Sequence, residues 1–210
     1  MADTKVSALT AATTVADTDE FPKNEAGTSK KVTGLQLKAY FGDSIGNQST
    51  ASQSPAAATL TYLTGSALAV PVGLLRIGTI FKWKLSLSKT AAGTAANAFH
   101  VRLGTAGTTA DAAILTFTTG LGTAVVDNGQ IEIMVTIRGP LSASCIAVGQ
   151  FSFCHNLQIT GHLVIPVSCI GVTSGVFTAT TANLIAGLSV TSGTSVAYTF
   201  LQVVGEAKNL

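Results

Sequence analysis

TIFKWKLSLS, Thr79 to Ser88, is the stretch whose reading decides the fold. Thr79, Phe81, Trp83, Leu85 and Leu87 fall on one parity, and Ile80, Lys82, Lys84, Ser86 and Ser88 on the other. A period of two is the pattern of a half-buried β-strand, with one face towards a core and one towards water. The only tryptophan of the chain sits in its middle.

The same pattern recurs downstream. Phe99, Val101 and Leu103 alternate with His100 and Arg102, and after the turn at Gly104–Thr109 a strand is expected around Ala112–Thr118. Asp127-Asn128-Gly129 reads as a turn before the clearest alternation, Ile131, Ile133, Val135 and Ile137, which Pro140 ends. Between Ser144 and Cys154 the apolar parity changes, from Ile146 and Val148 to Phe151 and Phe153, which predicts a bulge at Gly149. Leu157–Ile170 leaves room for a further strand. Leu184, Ala186, Leu188 and Val190 then alternate, and Thr191–Thr194 turns the chain into Val196, Tyr198 and Phe200. Upstream, Thr59–Leu63 and Ala67–Val72 read as short strands.

About eight strands from residue 79, closely spaced turns and no helix there predict an all-β, antiparallel, jelly-roll-like β-sandwich. An immunoglobulin-like sandwich is second, because the Cys–Trp–Cys spacing is absent. The amino-terminal part differs. Residues 1–42 read as an extended arm carrying one short helix, 43–58 as a small-residue, polar linker, and 59–210 as the sandwich domain. The helix is expected from Thr33 as N-cap with Gln36 at N3, a Val32–Leu37 staple, and Gly42 as the stop. So short a helix needs a docking partner.

Charge is scarce, at 10% of residues, and unevenly placed. Residues 1–54 carry eleven charged side chains and the remaining three-quarters of the chain carry eleven more. A surface of Thr, Ser, Ala and Gly protects a free monomer poorly against association, so this surface is expected to be covered by copies of itself or by partners. The net charge of +2, with no basic cluster beyond Lys30-Lys31, argues against nucleic acid. The longest apolar run, Ala67–Leu75, is broken by Pro71 and Gly73 and is too short to span a bilayer, so no membrane partner is expected. No targeting signal follows the initiating Met. Cys145, Cys154 and Cys169 are expected as buried, reduced thiols.

Catalytic chemistry finds little footing. Cys154, His155, His162 and Cys169 share one stretch, but their spacing matches no paired zinc-ligand pattern. No GxSxG elbow is present, and Gly120-Leu121-Gly122 is a lone GxG with no helix after it. The acids after residue 58 (Asp111, Asp127, Glu132 and Glu206) are scattered. No catalytic, cofactor or metal site is expected. Trp83 and Tyr198 lie on apolar parities and are expected in the core, whereas Lys82, Lys84 and Arg102 are expected as solvated or interface charges.

One segment carries a resemblance. In Ser7–Phe41 the pieces Leu9–Thr14, Ala16–Pro22 and Gly27–Val32, followed by Leu35–Phe41, give LTAATT, ADTDEFP, GTSKKV and LQLKAYF. This pattern resembles a leader of structural proteins in tailed bacteriophages, including tail fibres, head fibres and capsid decoration proteins. The resemblance implies a non-enzymatic virion protein, made in the host bacterial cytoplasm, whose leader attaches to capsid, collar or tail proteins. It also implies homotrimers. Within the leader, Asp17, Asp19, Phe21, Pro22, Lys30, Lys31, Val32, Leu35, Leu37, Tyr40 and Phe41 are the expected attachment residues. The alternative is a receptor-binding fibre recognising a host surface glycan.

Overall fold

The computed structural model describes residues 20–25, 28–34, 44–157, 160–162, 169–179, 183–194 and 197–210. Strands β1 (Glu20–Glu25) and β2 (Thr28–Thr33) pair as an antiparallel sheet of their own. Among the described residues eleven more strands build two packed sheets. They are β3 (Ile45–Ser49), β4 (Leu60–Tyr62), β5 (Leu68–Val70), β6 (Ile80–Lys89), β7 (Ala98–Gly104), β8 (Ala112–Thr118), β9 (Asp127–Gly139), β10 (Ile146–His155), β11 (Cys169–Thr173), β12 (Leu184–Thr191) and β13 (Tyr198–Lys208).

The larger sheet runs β11-β10-β9-β6-β13-β3; the smaller runs β4-β12-β7-β8, with β5 also on β12. The pairing is nested. β7 pairs β8, β6 pairs β9, β5 and β4 pair β12, and β3 pairs β13, on alternate sheets. A chain folded back on itself and rolled in this way is a jelly roll. The β10–β11 hairpin is an addition that widens the larger sheet.

Alternation sets which side chains meet. Phe81, Trp83, Leu85, Leu87, Ile131, Ile133, Val135 and Ile137 face inward from β6 and β9, each essentially inaccessible. They pack on Phe99, Val101, Leu115, Phe117 and Leu188 from the smaller sheet. Phe151 joins the layers, its ring centroid 5.6 Å from those of both Phe99 and Phe117. Trp83 stacks on Phe81 at 6.0 Å and donates its indole N–H to the Ser66 carbonyl at 2.8 Å, so its one polar atom is satisfied inside the core.

Several expectations need correction. The linker 43–58 is not one: Ile45–Ser49 is the edge strand β3, and Gln53 bonds Phe200 through both backbone groups. Its polar composition suits an edge whose side chains contribute little to the core. Within the arm of residues 1–42, β1 and β2 form a hairpin that the sequence reading does not foresee. Of the expected helix, Gly34 is helical and residues 35–43 lie outside the described residues. Gly149 is not a bulge. Ala147, Gly149, Phe151 and Phe153 all point inward, and a Cβ on Gly149 would lie 2.7 Å from both Leu115 and Phe117. Glycine stands there because the opposite sheet fills the space. The register shift in β10 falls instead at Ile146/Ala147. A further shift in β13, between Phe200 and Gln202, turns Leu201 outward and lets Phe200 and Val203 both face the core.

The sandwich has two poles. Ile45, Ile80, Gly139, Ile146 and Lys208 lie towards one; Lys89, Asp127, His155 and Tyr198 lie towards the other. The chain therefore enters the sandwich at the first pole.

Candidate functional site

The expected attachment residues divide between described and undescribed segments. Asp17, Asp19, Leu35, Leu37, Tyr40 and Phe41 lie outside the described residues. Phe21, Pro22, Lys30, Lys31 and Val32 come together in the hairpin, with Phe21 opposite Val32 and Pro22 opposite Lys31. Glu20–Pro22, the end of the first half of the leader pattern, thus lies in β1, and Thr28–Thr33 of the second half is β2. Proline is tolerated because both strands of a two-stranded sheet are edges. Lys31 reaches Glu20 at 2.5 Å, an ion pair too exposed to contribute much stability.

The second concentration of functional groups lies inside the sandwich, at the pole away from Ile45. Lys89 and Asp127 face each other across β6 and β9, and His155 ends β10 beside them. All three continue the inward parity of their strands. Lys89 is 1% exposed, and its ammonium donates to the carbonyls of Thr123 and Val125, at 2.6 Å each, and of Thr90 at 3.3 Å. Burial lowers its pKa, and the Asp127 carboxylate partly offsets that. Asp127 Oδ2 accepts from His155 Nδ1 at 2.7 Å and from the His162 backbone N–H at 3.0 Å, while Oδ1 accepts from Asn128 N–H at 2.8 Å. Burial alone would raise this carboxyl; the hydrogen bonds from His162 and His155 outweigh it and hold the pKa below the ordinary value. His162 packs its ring on Phe153 (5.0 Å between centroids) and Tyr198 (5.9 Å). Tyr198 in turn donates its hydroxyl to the carbonyls of Gly93 and Ala95. This polar plug closes the end of the core and pins the surrounding loops.

A third group lies on the outer face of the smaller sheet. Arg102, expected as a solvated or interface charge, is covered by the β7–β8 loop. Its Nε donates to Ser189 Oγ at 2.6 Å and its Nη1 to the carbonyls of Thr109 and Asp111. The Asp111 carboxylate accepts from the N–H groups of Ala106 (3.0 Å), Gly107 (2.7 Å) and Thr108 (3.4 Å), which fixes that loop. His100 lies between the hydroxyls of Thr116 and Thr191, at 3.0 and 3.3 Å. Burial, with Arg102 nearby, lowers its pKa. Every donor of this group that acts on the loop is engaged in holding it.

The remaining candidates separate. Cys154 and His155 are neighbours on β10 and project to opposite faces. Cys154 is exposed, which corrects the expectation of a buried thiol; Cys145 is buried. The Cys169 side chain lies outside the described residues. Among the described residues no three His, Cys, Asp or Glu side chains are grouped to hold a metal ion. Glu132 pairs with Lys82 at 3.1 Å and Lys84 at 3.9 Å, and Glu206 with Lys208 at 3.1 Å. The four acids each serve a different local partner. A groove of about 480 Å³ crosses the outer face of the larger sheet, lined by Ser86, Gln130, Ser152, Cys154 and Gln202 with Lys84 and Glu132. Among the described residues no aromatic ring lines it to stack on a sugar.

Fold and side-chain arrangement together define an all-β jelly-roll sandwich with polar centres that fasten loops. No protein-family model matches the sequence, and no characterised protein resembles it significantly.

Sequence reasoning missed the plug, although the signal was there. Lys89 shares the parity of Phe81 to Leu87, Asp127 that of Ile131 to Ile137, and His155 that of Phe151 and Phe153. Carrying the alternations on, by one step to Lys89 and His155 and by two steps through Gly129 to Asp127, places three ionisable groups inside. His162 sits in an aperiodic stretch and gives no such signal.

Proposed function

We propose that this chain is a non-enzymatic structural protein of a tailed-bacteriophage virion, a capsid decoration protein or a head- or tail-fibre-type appendage. Residues 1–42 attach it to other virion proteins, and the sandwich projects from the particle as a homotrimer. The observation that carries the reading is the course of the chain: the leader-like segment joins the sandwich at the Ile45 pole, opposite the plug. An anchor on that side leaves the loops around the plug facing away from the particle.

The surface supports self-association. β8 ends the smaller sheet as a strand without charge or proline, and its Ala112, Ala113, Thr116 and Thr118 are exposed. A free edge of this kind pairs readily with another chain unless covered. Small neutral side chains also lose little entropy when covered. Closed symmetry buries one patch on every copy without leaving a growing end.

The test is deletion of residues 1–42, which leaves β3 and the whole sandwich intact. The truncated chain is expected to fold and to be absent from assembled particles. Incorporation at full occupancy would overturn the attachment role. Mass measurement at micromolar concentration tests the assembly: a trimer is expected, a stable monomer overturns the reading of the surface, and a dimer overturns the three-fold symmetry alone.

A further inference from the structure

The plug holds one group in a state that only neutrality permits. The strap Gly161–His162 is fastened at two places. Asp127 Oδ2 accepts the His162 backbone N–H, and Thr123 exchanges two bonds with Gly161: Thr123 N–H to the Gly161 carbonyl at 2.8 Å, and Gly161 N–H to Thr123 Oγ1 at 2.6 Å. Gly161 has φ +85°, and a Cβ there would fall on the Asp127 carboxylate, so the strap backbone lies directly on that group. Thr123 is itself fixed by Lys89 through its carbonyl.

The His162 ring, 2% exposed, is enclosed by Phe153, Tyr198 and His155. Both its ring nitrogens are buried without a hydrogen-bond partner. A neutral imidazole leaves one donor and one acceptor unmet; an imidazolium leaves two donors unmet and adds a charge. The titratable groups facing it are Lys89 from β6, Asp127 from β9, His155 from β10 and Tyr198 from β13. The single carboxylate among them is already occupied by His155 and by the strap backbone.

We propose that the Gly161–His162 strap is an acid-released latch: protonation of His162 undocks it from Asp127 and Thr123 and opens the plugged pole, uncovering Phe153 and Tyr198. Burial holds the His162 pKa down to about 4 in the docked strap, with His155 and Lys89 acting in the same direction and Asp127 against it. In the released strap the ring regains its ordinary value of about 6.5. Between those values the open state binds a proton that the closed state does not. Docking is therefore fully favourable above about pH 6.5 and weakens as pH falls towards 4. Asp127 itself has a lowered pKa, so protonation of its carboxyl removes the second fastening only at still lower pH.

The experiment is hydrogen exchange of the full chain from pH 7.5 to 4.0, corrected for the intrinsic pH dependence. The amides of Thr160, Gly161 and His162 and those of 119–126 are expected to lose protection by roughly a hundred-fold across that range while β6 and β9 keep theirs. In His162→Phe, which keeps an aromatic ring and removes the proton site, the loss is expected to vanish. Unchanged protection in the wild type at pH 4, or an unchanged transition in a folded His162→Phe, overturns the latch. A direct NMR titration of the His162 ring in the wild-type protein serves even if the variant does not fold. A midpoint well below 6 that coincides with strap release supports the proposal, and a midpoint near 6.5 with the strap still protected overturns it.

Discussion

Trp83→Ala is the sharpest test of how this sandwich is held together. The indole is wholly buried, stacked on Phe81, and faces Gly205 so closely that a Cβ there would lie 2.9 Å from Trp83 Cδ1. It lies mid-strand between β13 and β9, opposite Gly205 and Ile133. Removing a fully buried tryptophan costs about 3–5 kcal/mol, because the surrounding strands cannot collapse into the space. Loss of the indole N–H also strips the Ser66 carbonyl of that donor, which places the effect at the upper end of the range. For a sandwich of this size about 3–5 kcal/mol corresponds to a fall in Tm of about 6–20 °C. Urea unfolding followed by far-UV circular dichroism, at fixed protein concentration, measures it in a variant that has no tryptophan signal. Trp83→Phe separates the two contributions by retaining a ring while losing the donor. A loss below about 1.5 kcal/mol for the alanine variant would refute the claim that this residue organises the core.

Three further outcomes are expected. Gly149→Val should destabilise by about 1–3 kcal/mol through collision with Leu115 and Phe117, and Leu115→Ala combined with it should recover part of the loss; a neutral Gly149→Val would restore the bulge reading. Asp111→Ala should cost about 2 kcal/mol by freeing three loop N–H groups, and limited proteolysis should then cut within residues 105–111; resistance equal to the wild type would show that the loop is held by other contacts. A thiol reagent applied to the native protein should modify Cys154 rapidly and leave Cys145 untouched, as peptide mass mapping would show.

How far the sequence reaches depends on which side chains a strand buries. β6 and β9 are central strands with one face on the core, so their alternation is strong and their placement follows from it. β3 is the opposite case. It reads Ile-Gly-Asn-Gln-Ser, exposes most of its length, and exists because backbone groups of β13 pair with it. A strand held chiefly by main-chain bonds, with Ile45 its one large apolar side chain, leaves no periodic trace, and polar composition then imitates a linker. The β1–β2 hairpin, EFPKNE and TSKKVT, likewise shows no apolar alternation in its sequence. Gly149 shows a different limit: the residue that dictates glycine is across the sandwich, far away in sequence. Arg102 is read correctly as lying on the outer face, but as a solvated or interface charge it is misplaced, because the loop of this same chain that folds over it has no pattern of its own.

The nested pairing also fixes when this molecule can finish folding as it leaves the ribosome. The hairpin β7–β8 is local and can close early, and β9 can then join β6. β4 and β5 must wait for β12, and β3, the first strand of the sandwich to be synthesised, must wait for β13, the last. Closure runs from the middle of the chain outward, and such long-range pairing is slow compared with local contacts. Ile45–Ser49 therefore stays unpaired until β13 has been synthesised. The segment ahead of it emerges before the domain it belongs to exists.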